Sequence, residues 1–216
     1  MYSDIIAPRS EEEAKRMVER AKSLGYGILG VIGDVKVDSI KSFRVTLIGR
    51  IEPKLKGRLK EEADLLLARP KSLEDARKLT LSSAVDGVIT TYDSEKPRVD
   101  YISLKQLKRN EGALVIPLKY LVRTISVNPQ ALRSVSLELR LATRSGVYPL
   151  ICSFASEVNE QVPPRLMMSF AEFFFDLKRE EAKRMVKDFP EYMLSKERKL
   201  KLKGREVPEV QGTDRP

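Results

Sequence analysis

The sequence predicts an α/β chain folded as a closed or nearly closed βα barrel of about seven strands, and three observations carry that reading. Short runs rich in Val, Ile and Leu recur along the chain, with the length of buried strands. Segments with apolar residues at helical spacing separate them, the pattern of repeated βα units on a parallel sheet. Hydrophobic residues make up 42% of 216 positions, enough for one sizeable core. An open, doubly wound sheet is the alternative topology.

The first strand is expected at Tyr2–Ala7. Ser10 then starts a helix, with Glu13 three residues on as a capping box. Ala14, Met17, Val18 and Ala21 share one face of that helix, and Gly25 ends it. Strands follow at Ile28–Ile32, Phe43–Ile51 and Leu65–Ala68. Ser72 can cap a helix carrying Ala76, Leu79 and Ala84. Val88–Thr91 and Leu114–Pro117 are the next strands, with a helix around Ile102–Arg109 between them. A longer helix near Pro129–Arg144 leads to a seventh strand, Tyr148–Ser153. Helices Arg165–Asp176 and Glu180–Phe189 complete a body of residues 1–195. Residues 196–216 have no apolar face to bury and read as a basic, disordered tail.

Charge narrows the function. Lys and Arg number 40 against 31 Asp and Glu, a surplus of +9, and the chain has no histidine. A surplus of that size suits a polyanionic partner, because Lys and Arg neutralise phosphates. The missing histidine removes the commonest general base and the commonest metal ligand. The tail accounts for +3 of the surplus and the body for +6. Basic residues cluster at Lys54, Lys56, Arg58 and Lys60, and at Arg69 and Lys71 just after a strand. Lys105, Lys108 and Arg109 share a helix face, while Lys178, Arg179, Lys183, Arg184 and Lys187 crowd another. Phe170, Phe173, Phe174 and Phe175 fall on one helix and are expected in the core or at a subunit interface. Without a row of exposed rings, structured RNA read through backbone and shape fits better than single-stranded bases. The lone Cys152 leaves no internal disulfide and fits a reducing cytoplasm. No run reaches the roughly 20 apolar residues of a membrane span, and MYSDIIAPRS lacks signal-peptide organisation.

Other chemistries find less support. Gly25, Gly27 and Gly30 match G-x-G-x-x-G but follow a helix and enter a strand, the reverse of a dinucleotide site. Asp4, Asp34, Asp93 and Glu157 lie near predicted strand ends, where barrel active sites sit. Such carboxylates could hold Mg²⁺ for phosphodiester cleavage, with solvated caps and ion pairs as the plain alternative. Nucleophilic catalysis by Ser, Thr or Cys lacks a positioned base.

Two long segments resemble a known family. AVDGVITTYDSEKPRVDYISLKQLKRNEGALVIPLKYLV and CSFASEVNEQVPPRLMMSFAEFFFDLKREEAKRMVKDFPEYML are similar to archaeal ribonuclease P protein component 3. The corresponding motifs are Val85-Asp86, Asp100-Tyr101, Pro117-Leu118-Lys119, Ser153-Phe154-Ala155, Pro164-Arg165-Leu166 and Phe189-Pro190-Glu191. The opening YSDIIAP and AKSLGYGILGV resemble the family's first βαβ unit, so the likeness spans most of residues 1–195. Tyr101 stands where the family has histidine, Val162 where an arginine is common, and P-R-L-M replaces P-R-D-L.

The resemblance implies a distorted βα (TIM-like) barrel related to the polymerase and histidinol phosphatase-type phosphoesterases, with their metal ligands lost. It implies a subunit of the endoribonuclease that removes the 5′ leader of precursor tRNA, with catalysis by the RNA subunit and its Mg²⁺. No cofactor is then expected on this chain. Implied partners are ribonuclease P RNA, protein component 2 in a heterotetramer, and precursor tRNA indirectly. RNA contact carries over to Lys119, Arg165 and Lys183; Lys78, Lys105 and Arg123 join them on charge and expected exposure. Three readings stand side by side: an RNA-binding, non-catalytic subunit; a metal-dependent phosphoesterase using acidic residues such as Asp4 and Asp93; and a structural partner without RNA affinity.

Overall fold

The computed structural model describes residues 1–49 except 34, 36 and 38, together with residues 63–193 and 195. Asp34, the cluster Lys54, Lys56, Arg58 and Lys60, and the tail from 196 lie outside the described residues.

Seven parallel strands stand side by side in chain order: β1 (Tyr2–Ile6), β2 (Tyr26–Ile32), β3 (Lys41–Ile48), β4 (Leu65–Ala68), β5 (Gly87–Ile89), β6 (Ala113–Pro117) and β7 (Tyr148–Cys152). Most of their residues are buried, and β4–β7 read as near-continuous apolar runs, whereas β3 carries Lys41, Ser42, Arg44 and Thr46. The sheet curls until its edges meet. Ile6 pairs with Ala155 just past β7, the Ala7 N–H reaches the Ala155 carbonyl at 2.7 Å, and the Phe154 N–H reaches Ile5 O at 2.9 Å. The barrel is nearly closed.

Around it run α1 (Glu11–Ser23), α2 (Leu73–Thr80), α3 (Tyr101–Arg109), α4 (Leu118–Ile125), α5 (Gln130–Ser145) and α6 (Pro164–Phe175). A short α7 (Arg179–Lys183), a π turn at Arg184–Asp188 and α8 (Phe189–Met193) follow. The main apolar cluster includes Ile6, Met17, Leu29, Leu67, Ile116, Ile151 and Met167. A second, with Leu79, Leu104, Leu107 and Leu114, sits between β3–β6 and α2, α3 and α5. Burying each such Leu or Ile contributes about 1.5–3 kcal/mol.

Local signals explain the boundaries. Gly25 ends α1 at φ 90°, in the left-handed region that favours glycine. Gly30 lies within β2, where a Cβ would stand 2.6 Å from the Phe43 ring. Gly25 and Gly30 therefore serve a turn and close strand packing.

Several expectations need correction. The α1 capping box is half made: Ser10 Oγ accepts the Glu13 N–H at 3.2 Å, but the Glu13 carboxylate accepts from the Val158 N–H instead. Ala84 lies beyond α2, whose last residue Thr80 bonds back to the Ala76 carbonyl and across to Gln106. The apolar run after Pro117 is a helix, α4, for which no side chain supplies an N-cap. The expected helix Glu180–Phe189 is interrupted by the π turn, which turns both Met185 and Val186 into the core.

Candidate nucleic-acid interface

In βα barrels the segments after the C-terminal strand ends build the mouth. Here they deliver rings. Tyr92, after β5, stacks on Tyr120, after β6, with centroids 5.2 Å apart. Phe154, after β7, meets Tyr120 edge-on at 6.3 Å, and the Arg69 guanidinium, after β4, lies 5.6 Å over Tyr92. Tyr92 and Phe154 are buried, so the mouth is filled by side chains. Desolvation raises the Tyr92 hydroxyl pKa despite the opposing Arg69 charge.

Glu138 of α5 holds this rim in place. Its buried carboxylate accepts the Thr91 N–H at 2.8 Å, the Thr91 hydroxyl at 2.6 Å, and the Arg98 and Val99 N–H groups at 3.0 Å each. Burial raises its pKa, and the donated bonds act against that rise. Its signal in sequence was a single acid on the apolar face formed by Ala131, Val135, Leu139 and Ala142.

The acidic candidates among the described residues, Asp4, Asp93 and Glu157, are each committed. Asp4 is 1% exposed and sits at the seam between β1 and β7. It accepts the Ser153 N–H at 2.6 Å, the Ser153 hydroxyl and the Ile5 N–H at 2.8 Å. Desolvation lifts it to a pKa of about 6, with the three bonds pulling the other way. Asp93 pairs with Arg98 at 2.8 Å and Glu157 with Arg9 at 3.1 Å. Among the described residues, no three His, Cys, Asp or Glu side chains gather as a metal-holding group.

The six basic candidates are scattered over the surface. The Lys119 side chain is only 6% exposed; its Nζ lies 2.6 Å from Glu160 and 2.8 Å from Ser156 Oγ. Arg123, exposed one turn later, binds the other Glu160 oxygen at 2.7 Å. Desolvation acts to raise the Glu160 pKa, but the Lys119 bond, the Ser156 N–H and the two cations outweigh it and hold it low. Lys78 pairs with Glu74 at 2.6 Å, and Lys183 with Glu180 at 3.9 Å. Lys105 and Arg165 are exposed. Only Lys119 and Arg123 come together, through Glu160.

The family-motif positions have structural duties too. Asp100 caps α3 through the Ser103 N–H at 2.9 Å and binds Arg77 Nε at the same distance. Tyr101 beside it is exposed. The Val162 carbonyl accepts the Tyr26 hydroxyl at 2.6 Å. The sequence reading missed Arg9, Arg16 and Arg20, which line an open groove of about 610 Å³ with Ser156 and Asn159. Arg16 and Arg20 were visible as an i, i+4 pair on the polar side of α1.

These features define a βα barrel with a packed mouth and a basic exterior. No family model and no curated protein matches the chain. It is similar to a chain in a cryo-EM structure of archaeal ribonuclease P with mature tRNA, at TM-score 0.72 and 15% identity. That alignment covers 99% of this chain and 100% of the other. A prolidase complexed with N-methylphosphonate-L-proline aligns at TM-score 0.58 and 10% identity, over 90% of this chain and 74% of that one. The shared property is the barrel fold. Among the described residues no helix is long and apolar enough to cross a membrane.

Proposed function

We propose that this chain is a protein subunit of ribonuclease P that binds the catalytic RNA together with protein component 2 and supports removal of the 5′ leader from precursor tRNA. The end-to-end likeness to a chain of the archaeal ribonuclease P structure carries the reading. The surplus of +9, with no histidine, supports an RNA partner. On this reading the chain is itself non-catalytic and binds no cofactor, Mg²⁺ serves the RNA, and the assembly is a cytoplasmic heterotetramer with component 2. The packed mouth and the commitment of Asp4 to Ser153 fit a role on the outer surface.

Phosphate contact is assigned to Arg165 and Lys105, which are exposed, and to Lys78, Lys183 and Arg123, whose carboxylate partners give way to phosphate at the surface. Lys119 acts through Glu160 as a positioning group for Arg123. Residues 1–195 form the binding body, and 196–216 add a basic tail.

Precursor-tRNA cleavage at limiting Mg²⁺ tests this, using archaeal ribonuclease P RNA and component 2 with and without the chain. Stimulation that needs all three is the expected result. Cleavage by the chain alone, or no stimulation, refutes the proposal.

A further inference from the structure

The groove between α5 and the α6–α7 turn has a composition that the sequence reading left unused. Its volume is about 510 Å³, and Leu139, Arg140, Arg144, Phe174, Phe175 and Leu177 line it. Arg133, Arg140 and Arg144 stand seven and four residues apart, which places them along one flank of α5 at rises of about 10 and 6 Å. All three are exposed, and no ion pair or hydrogen bond engages their side chains among the described residues. Elsewhere Arg9, Arg16, Arg77, Arg98, Arg123 and Arg179 each have a carboxylate. The α5 arginines are thus unneutralised by the protein itself.

Aromatic surface adjoins them. Phe173 is 81% exposed, so of the two places expected for these rings, core or subunit interface, it does not take the core. It meets Phe174 edge-on at 5.1 Å, and Phe174 stacks on Phe170 at 4.4 Å. The stack holds Phe174 in place at the groove wall. Of the two acids at the groove, Glu181 is occupied by the Lys178 N–H at 2.9 Å, and Asp176 ends α6 in a left-handed turn.

We propose that this groove binds an unpaired nucleotide of a structured RNA, its flanking phosphates on Arg140 and Arg144 and its base against Phe173 and Phe174. Arg133 extends the phosphate track along α5. Unpaired arginines beside a fixed ring supply the two elements of such a site: charge for the backbone and a π face for the base. This rests on the RNA-binding reading above and assigns it a location.

The test is binding of the full chain, over a range of salt, to an archaeal ribonuclease P RNA transcribed in vitro, with circular dichroism confirming that each variant folds. R140A/R144A should weaken binding at least tenfold and lower the log–log salt slope by about 1.4, at roughly 0.7 per phosphate contact. F173A should weaken it about fivefold or more with an unchanged slope, the mark of stacking. If the unaltered chain shows no salt-dependent binding, the RNA-binding reading itself fails and the site with it. If the unaltered chain binds and both variants match it, the groove proposal is overturned while the reading stands. If the variants keep RNA affinity but lose component 2, the groove belongs to a protein and the proposal is likewise overturned.

Discussion

Asp4 and Ser153, 149 positions apart, fasten the two edges of the barrel: one buried carboxylate accepts both the backbone N–H and the hydroxyl of the serine. Direct strand pairing across that seam is sparse, amounting to the bridge between Ile6 and Ala155 and the bonds beside it. The carboxylate supplements a ladder that the short edges leave incomplete.

Asp4→Ala should therefore lower the unfolding free energy by about 2–4 kcal/mol, because it strands buried N–H groups. The pH dependence has a definite sign. Burial holds Asp4 at a pKa of about 6, above its ordinary 3.8, so the folded chain keeps a proton that the unfolded chain releases. The resulting stability is full below about pH 4 and is lost as pH rises to about 6. Urea midpoints of the unaltered chain should fall, relative to Asp4→Asn, across that window.

Lys119→Met removes the buried partner of Glu160 and should cost about 2–4 kcal/mol. The double variant Lys119→Met with Glu160→Leu should recover much of this, since neither charge is then left alone. Glu160 is held below its ordinary pKa, so the pair's contribution is present at neutral pH and fades as pH falls through the folded value. Urea unfolding at neutral and acid pH measures both effects.

Glu138→Gln places an amide NH₂ where four donors already converge. A loss of about 2–3 kcal/mol is expected, with loosening of residues 90–99. Trypsin should then cut the native variant after Arg98 faster than it cuts the parent chain. Equal cleavage rates would remove Glu138 from its role as anchor.

Cys152 lies beside the seam, and burial, reinforced by the Asp4 charge, pushes its thiol pKa well up. Iodoacetamide should label it slowly in the native chain and at an unfolding-limited rate. Asp4→Ala should accelerate labelling. Fast labelling of the unaltered chain would show a seam more open than these bonds imply.

Strands were legible where an apolar run is bounded by turn formers; β4 at Leu65–Ala68 was located to the residue, whereas β3 starts two residues before the expected Phe43 because Lys41 and Ser42 carry no apolar signal. Helix α4 was not, since Leu118–Ile125 directly continues an apolar strand and no side-chain cap marks its start. Long-range roles were hidden. Asp4 reads in sequence as a strand-end acid, and nothing local names Ser153 as its partner. Lys119 reads as a basic position, while the acid that buries it lies on a 3₁₀ turn after β7. Glu138 could have been found as the acid on an apolar helix face. The exposure of Phe173 was masked by the run Phe173-Phe174-Phe175, although Ser169 and Asp176 at helical spacing mark its side of the helix as polar.

The stacked rings at the top of the barrel also have a mechanical meaning. Enzymes on this architecture rely on independent loops that swing over a substrate. Here Arg69, Tyr92, Tyr120 and Phe154 come from four consecutive connections and lean on one another, like voussoirs in an arch. Displacing any one unseats the others, so the top of the molecule moves as a block or not at all. Such a block keeps its outer contours fixed, and any flexible partner pressed against it must do the bending.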